Sequence, residues 1–227
     1  MVNLDIILLS VNQLKNIKPL TFKGLRNLNE LHLYKNNLNS IDSMVFEDLQ
    51  NLKRLDLSFN KLETLDANTF NKLSSLQRLD LDNNFLIKLP SRLFENLRNL
   101  LELNLSNNQL SSIESDLFNG LVSLNSLSIS GNNLNCIHLE TFNQLINLTE
   151  LNLSGNKLSS IELNTFSNLV KLSQICLNEN HLESILPAIF SGLSNLLVIN
   201  LSSNHIEALD CQVFKGLARL KRIDLGG

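Results

Sequence analysis

Leu28-Asn-Glu-Leu31-His-Leu33-Tyr-Lys-Asn36-Asn-Leu38 decides the fold, because its spacing, Leu-x-x-Leu-x-Leu-x-x-Asn-x-Leu, returns every 24 residues. Within it Leu31 and Leu33 alternate with Glu30, His32 and Tyr34, which is the period-two pattern of a strand with one buried and one outward face. Working outward, blocks that begin at Leu4, Leu28, Leu52, Leu76, Leu100, Leu124, Leu148, Leu172 and Leu196 share seven apolar columns and one Asn column. All 63 apolar positions hold apolar residues, where a hydrophobic content of 43% gives about 27 by chance. Nine of the 11 Phe fall in one column, from Phe22 to Phe214.

A fixed period of this length predicts one continuous stack of coils. The expected organisation is a single domain over 1–227, with nine full blocks over 4–219 and a partial tenth over 220–227. Each block contributes one short strand to a parallel sheet, and its remaining residues return along the opposite side. One block cannot bury both of its faces, so the stack must stabilise itself through its neighbours.

The Asn column comprises Asn12, Asn36, Asn60, Asn84, Asn108, Asn132, Asn156, Asn180 and Asn204. It follows each strand, where the turning backbone leaves amides and carbonyls without ladder partners. An amide side chain donates and accepts, so stacked copies can bridge successive coils. Before the last apolar column stand Gly24, Asp48, Lys72, Asn96, Gly120, Gln144, Asn168, Gly192 and Gly216. Most of these tolerate positive φ, which predicts a short helical or 3-10 turn ending there, with strain or another turn at Lys72 and Gln144.

These columns resemble those of leucine-rich repeat proteins, and the match runs from residue 4 to 225. The 24-residue length, with Phe and Leu in the second half, is similar to the extracellular-type repeats of Toll-like receptors, Slit-type guidance proteins and variable lymphocyte receptors. The resemblance implies an α/β solenoid of nine to ten coils, a horseshoe with the parallel sheet on the concave face and helical or 3-10 turns on the convex side. It also implies a protein-binding ectodomain, extracellular or at the cell surface. A cytoplasmic scaffold and a matrix or adhesion spacer are the alternatives.

Composition narrows the chemistry. A net charge of −3 provides no basic stripe for phosphates, so nucleic acid is not an expected partner. No run reaches the ~18 consecutive apolar residues of a spanning helix, so this segment should not insert directly into a membrane. No phosphate loop, zinc-protease helix or nucleophile elbow occurs, which predicts a non-enzymatic chain without cofactor or metal. Asp80-Leu-Asp82-Asn-Asn84 lacks the glycine and distal Glu of a calcium loop, and the stacked His181 and His205 have too few convergent ligands. Cys136, Cys176 and Cys211 lie in three different columns, which is no disulfide framework. The absence of cysteine-rich caps points to a piece of a longer protein lacking its caps or neighbouring repeats. The outward apolar residues Ile6, Leu8 and Val11 predict a covering segment or partner over the first block.

The outward strand face is the expected binding surface. From the fifth block onward it carries mainly small polar residues, whereas the second to fourth blocks supply Glu30, His32, Tyr34, Arg54, Asp56, Phe59, Arg78, Asp80, Asp82 and Phe85. Aromatic and Arg side chains dominate interface energetics, so this end is where a protein ligand should bind. Asn104, Asn147, Asn152 and Asn200 head glycosylation sequons. Glycans on Asn104, Asn152 and Asn200 would obstruct the rest of the concavity and leave the aromatic end open.

Overall fold

The structure, a computed structural model, describes residues 3–227, so the first two positions of the expected domain lie outside the described residues. Ten three-residue strands follow one another: β1 (Ile6–Leu8), β2 (Glu30–His32), β3 (Arg54–Asp56), β4 (Arg78–Asp80), β5 (Glu102–Asn104), β6 (Ser126–Ser128), β7 (Glu150–Asn152), β8 (Gln174–Cys176), β9 (Val198–Asn200) and β10 (Arg222–Asp224). They form one parallel sheet in sequence order. Every register is 24 residues, as in Leu31↔Leu55 and Leu55↔Leu79. The chain is a leucine-rich solenoid of about nine turns.

Its interior is a set of continuous rows. Leu31, Leu55, Leu79, Leu103, Leu127, Leu151, Ile175 and Ile199 line the inner side of the sheet and are buried. The rings from Phe46 to Phe190 stack in sequence at 6.2–6.4 Å between centroids, their planes 6–20° apart. Phe22 is also buried, while Phe214 near the end is only partly so. Because each ring contacts one above and one below, every coil completes its neighbour's core.

The asparagine row does the same for the backbone. Asn108 Nδ2 donates to the carbonyl of Leu105 in its own coil and of Leu81 in the coil before, at 3.1 and 3.0 Å. Its Oδ1 accepts the amide of Leu86 at 3.1 Å. Asn36, Asn60, Asn84, Asn132, Asn156, Asn180 and Asn204 repeat this three-way bridge. Asn12, in the first coil, donates to the carbonyls of Leu9 and Ser10, both within its own coil.

The turns differ from expectation. Among the described residues the return side contains one 3-10 turn, Ser43–Phe46, capped by Asp42, whose carboxylate accepts the Met44 amide at 2.8 Å. Elsewhere isolated turn bonds such as Leu73 N–H to Phe70 C=O suffice. In the column read as left-handed, Gly24, Gly120, Gly192 and Gly216 do take positive φ, but Asp48, Lys72, Asn96, Gln144 and Asn168 do not. The residue just before each ladder asparagine, by contrast, is left-handed in all nine coils: Val11, Lys35, Phe59, Asn83, Asn107, Gly131, Gly155, Glu179 and Ser203. Here the chain leaves the sheet sharply, and the bridging asparagine that follows locks the bend.

Candidate functional site

Parallel pairing places the outward side chains of β2–β5 in two columns. One reads Glu30, Arg54, Arg78, Glu102, and the other His32, Asp56, Asp80, Asn104. His32 Nε2 meets Glu30 Oε2 at 2.8 Å. Arg78 bridges two coils, with Nε 2.8 Å from Asp80 and Nη1 2.6 Å from Glu102. Its bond to Asp80 raises the already high guanidinium pKa, so Arg78 is a fixed cation.

Arg54 occupies the same Arg-Leu-Asp wording as Arg78 and behaves differently. Its Nε is buried without a hydrogen-bond partner. Asp56, which would be its acceptor, instead takes the amide and hydroxyl of Ser58 at 3.0 and 2.6 Å. In the next coil Asp82 stands where Ser58 stands, and Asp80 pairs with Arg78. Burial pushes the Asp82 carboxyl pKa up, a hydrogen bond from Asn83 opposes this, and Asp80 and Asp56 add to the rise.

Beside these columns Tyr34 and Phe59 meet edge to face, with centroids 5.4 Å apart and planes at 79°. Phe59 is nonetheless 47% exposed, and its φ is 52°. A bulky residue in the left-handed region is uncommon and costs on the order of 1 kcal/mol. Five other coils put Gly, Asn or Ser there, and three put Val11, Lys35 or Glu179. Phe85 is exposed at the adjoining edge, and its amide donates to the Leu62 carbonyl. The structure therefore brings Tyr34 and Phe59 together and places Phe85 beyond the strands, one coil further on.

From β5 to β9 the outward face changes character. Asn104, Asn152 and Asn200 are half-buried, and each Oδ1 accepts the amide and hydroxyl of the serine two residues on, the Oγ contacts being 2.6–2.7 Å. Asn147 lies on another surface. Its Nδ2 donates to Val122 C=O at 2.7 Å, as Asn51, Asn99 and Asn195 do to Arg26, Ser74 and Val170. This alternate-coil asparagine row was missed in the sequence, although Asn recurring at 48-residue spacing was its signal. His181 and His205 stack at 5.5 Å and are exposed. Ile6, Leu8 and Val11 are 45%, 73% and 63% exposed.

Among the described residues no group of three or more His, Cys, Asp or Glu is placed to hold a metal. No described helix is long and apolar enough to cross a membrane.

The family model for the BspA-type leucine rich repeat region matches residues 2–125 and 111–227. The chain belongs to the leucine-rich repeat family. Comparison with curated proteins gives no match. Among solved structures, TLR13 in complex with ssRNA13 is 34% identical over 94% of this chain and 31% of that chain, with a TM-score of 0.88. Drosophila Toll in its glycosylated complex with Spatzle is 27% identical over 99% of this chain and 34% of that one, with a TM-score of 0.91. The Leptospira interrogans protein LIC12759 is 29% identical over 99% and 61%, with a TM-score of 0.74. This leucine-rich repeat chain spans about a third of the length of the two receptors. The expectation against nucleic acid finds no support here, since TLR13 is held in a complex with single-stranded RNA.

Proposed function

We propose that this chain is a non-enzymatic protein-binding module, part of a secreted or membrane-anchored leucine-rich repeat receptor or adhesion protein. It binds a protein ligand on the outward face of β2–β4, through Glu30, His32, Tyr34, Arg54, Asp56, Phe59, Arg78, Asp80, Asp82 and Phe85. One observation carries the reading: Phe59 is kept half-exposed in a strained left-handed turn, in ring contact with Tyr34. The left-handed turn recurs in every coil, so what sets Phe59 apart is the exposed aromatic ring placed on it, where Asn, Gly or Ser serves the fold in five other coils. Toll bound to Spatzle supports a protein ligand by similarity.

Asn104, Asn152 and Asn200 are the proposed glycan carriers, since their Oδ1 atoms are engaged and, among the described residues, no hydrogen bond engages their Nδ2 atoms. Asn147 is a poorer acceptor because its Nδ2 bonds to Val122. An intracellular scaffold using the same surface is the second reading, favoured by the three unpaired cysteines. Glycan mass on Asn104 after expression in animal cells supports the first, and its absence the second.

The test of the site is a binding screen against an array of purified ectodomains, followed by two variants of the chain. Substituting Tyr34, Phe59 and Phe85 with Ala should abolish capture of a hit, while substituting Ser128, Asn152 and Ser154 should not. Equal loss in both, or loss in the control alone, refutes the assignment.

A further inference from the structure

We infer that the outward face of β2–β5 receives a basic, partly apolar protein segment, its Lys or Arg side chains among Asp56, Asp82 and Glu102 and an apolar side chain against Tyr34 and Phe59. This rests on the protein-binding reading above and names the partner's chemistry. The charge of the sheet face selects its partner. The outward strand positions of β2–β5, together with Asp82, carry five carboxylates and two arginines. That surplus of three negative charges equals the net −3 of the whole chain, so the rest of the molecule is balanced.

The charges are not needed for the fold. Asp56 accepts from Ser58 with the same geometry by which neutral Asn104, Asn152 and Asn200 accept from their own serines. An amide would therefore hold that turn equally well, and the negative charge is surplus to it. Asp82 occupies a position filled by Ser58, Ser106, Ser130, Ser154 and Ser202 in other coils. There its carboxylate is half-buried beside Asp80 and Asp56, and its ionised form is disfavoured by burial and by both neighbours. A cation delivered by a partner reverses that penalty.

Arg78 cannot serve as the balancing cation, being committed to Asp80 and Glu102. Among the described residues Arg54 forms no ion pair, and its buried Nε needs an acceptor. A peptide meets both demands, since its backbone carbonyls suit Arg54 and its basic side chains suit the carboxylates. Phosphates would satisfy Arg54 but would meet the negative surplus of the rest of the face.

The test is fluorescence anisotropy on the full 227-residue chain, with three labelled probes: a peptide of about 12 residues mixing Lys and Leu, an oligoglutamate of equal length, and a single-stranded oligoribonucleotide. The Lys-Leu peptide should bind, and added salt should weaken it. The pair Asp56→Asn and Asp82→Ser, which keeps the polar contacts of the turns, should lower its affinity about tenfold. Glu150→Gln, on β7, should leave the affinity unchanged.

The inference is overturned if the Lys-Leu peptide fails to bind, if the oligoribonucleotide or oligoglutamate binds more tightly, or if the two charge variants lose equally. Loss on Tyr34→Ala with Phe59→Ala but none on the Asp56/Asp82 pair overturns the basic partner and leaves the site standing. Loss on neither overturns both.

Discussion

In β3 and β4 the sheet presents Arg54, Asp56, Arg78 and Asp80, bordered by Phe59 and Asp82; in β6 and β7 the same places hold Ser126, Ser128, Glu150 and Asn152, bordered by Gly131 and Ser154. Beneath both lie the same rows of Leu, stacked Phe and bridging Asn. The serine-rich half shows what the solenoid requires of its outward face, which is little more than small polar groups satisfying each other, as Ser106 and Ser128 do at 2.7 Å. Whatever the charged half carries beyond that calls for a reason outside folding.

The largest effects should fail to distinguish the halves. Phe70→Ala and Phe142→Ala each remove a ring stacked on both sides, and each should cost about 3–5 kcal/mol in urea denaturation. Next, Asn60→Ala and Asn132→Ala each orphan buried backbone groups in two coils, at about 2–3 kcal/mol apiece. If either pair differs by more than about 1 kcal/mol, the interiors are not equivalent and the comparison breaks.

The interior was legible in the sequence because it repeats. Nine copies of one column average out local accident, so the ladder asparagines and the Phe row could be read from spacing alone. Turn conformation was less legible. Gly131, Gly155, Asn83 and Asn107 advertised a left-handed column, but Val11, Phe59 and Glu179 in the same column hid it. The other column misled in the opposite direction, since Asn96 and Asn168 tolerate positive φ yet do not adopt it. Composition states what a residue permits, and the closure of the coil decides what it does.

The candidate surface was legible as a set of residues and not as a set of partners. Arg54-Leu-Asp56 and Arg78-Leu-Asp80 are identical words with opposite outcomes. Their surroundings differ, with Ser58 two positions later in one coil and Asp82 in the other, and with Glu102 beside Arg78. Arg78→Ala should therefore cost about 1 kcal/mol by leaving the buried Asp80 carboxylate without its cation. Glu150→Ala, on the exposed face of β7, should fall within about 0.5 kcal/mol of wild type.

The smallest effect is the most diagnostic, because its sign is unusual. The Asp82 carboxyl has a folded-state pKa above its ordinary value of 3.8, chiefly through burial. The folded chain therefore binds this proton more readily than the unfolded chain, and ionised Asp82 opposes folding at neutral pH. That penalty disappears as pH falls through the raised folded value toward the ordinary one, and below both values it makes no contribution. Asp82→Ser should accordingly raise the urea midpoint at pH 7, and the gain over wild type should shrink at pH 4. The same substitution at Ser154's coil would be Ser154→Asp, which should reverse the sign by burying a carboxylate where the hydroxyl now bonds to Asn152. A wild-type midpoint that already exceeds the Asp82→Ser midpoint at pH 7 would mean that the carboxylate stabilises the turn, and the charged half would then need no ligand to explain its charge.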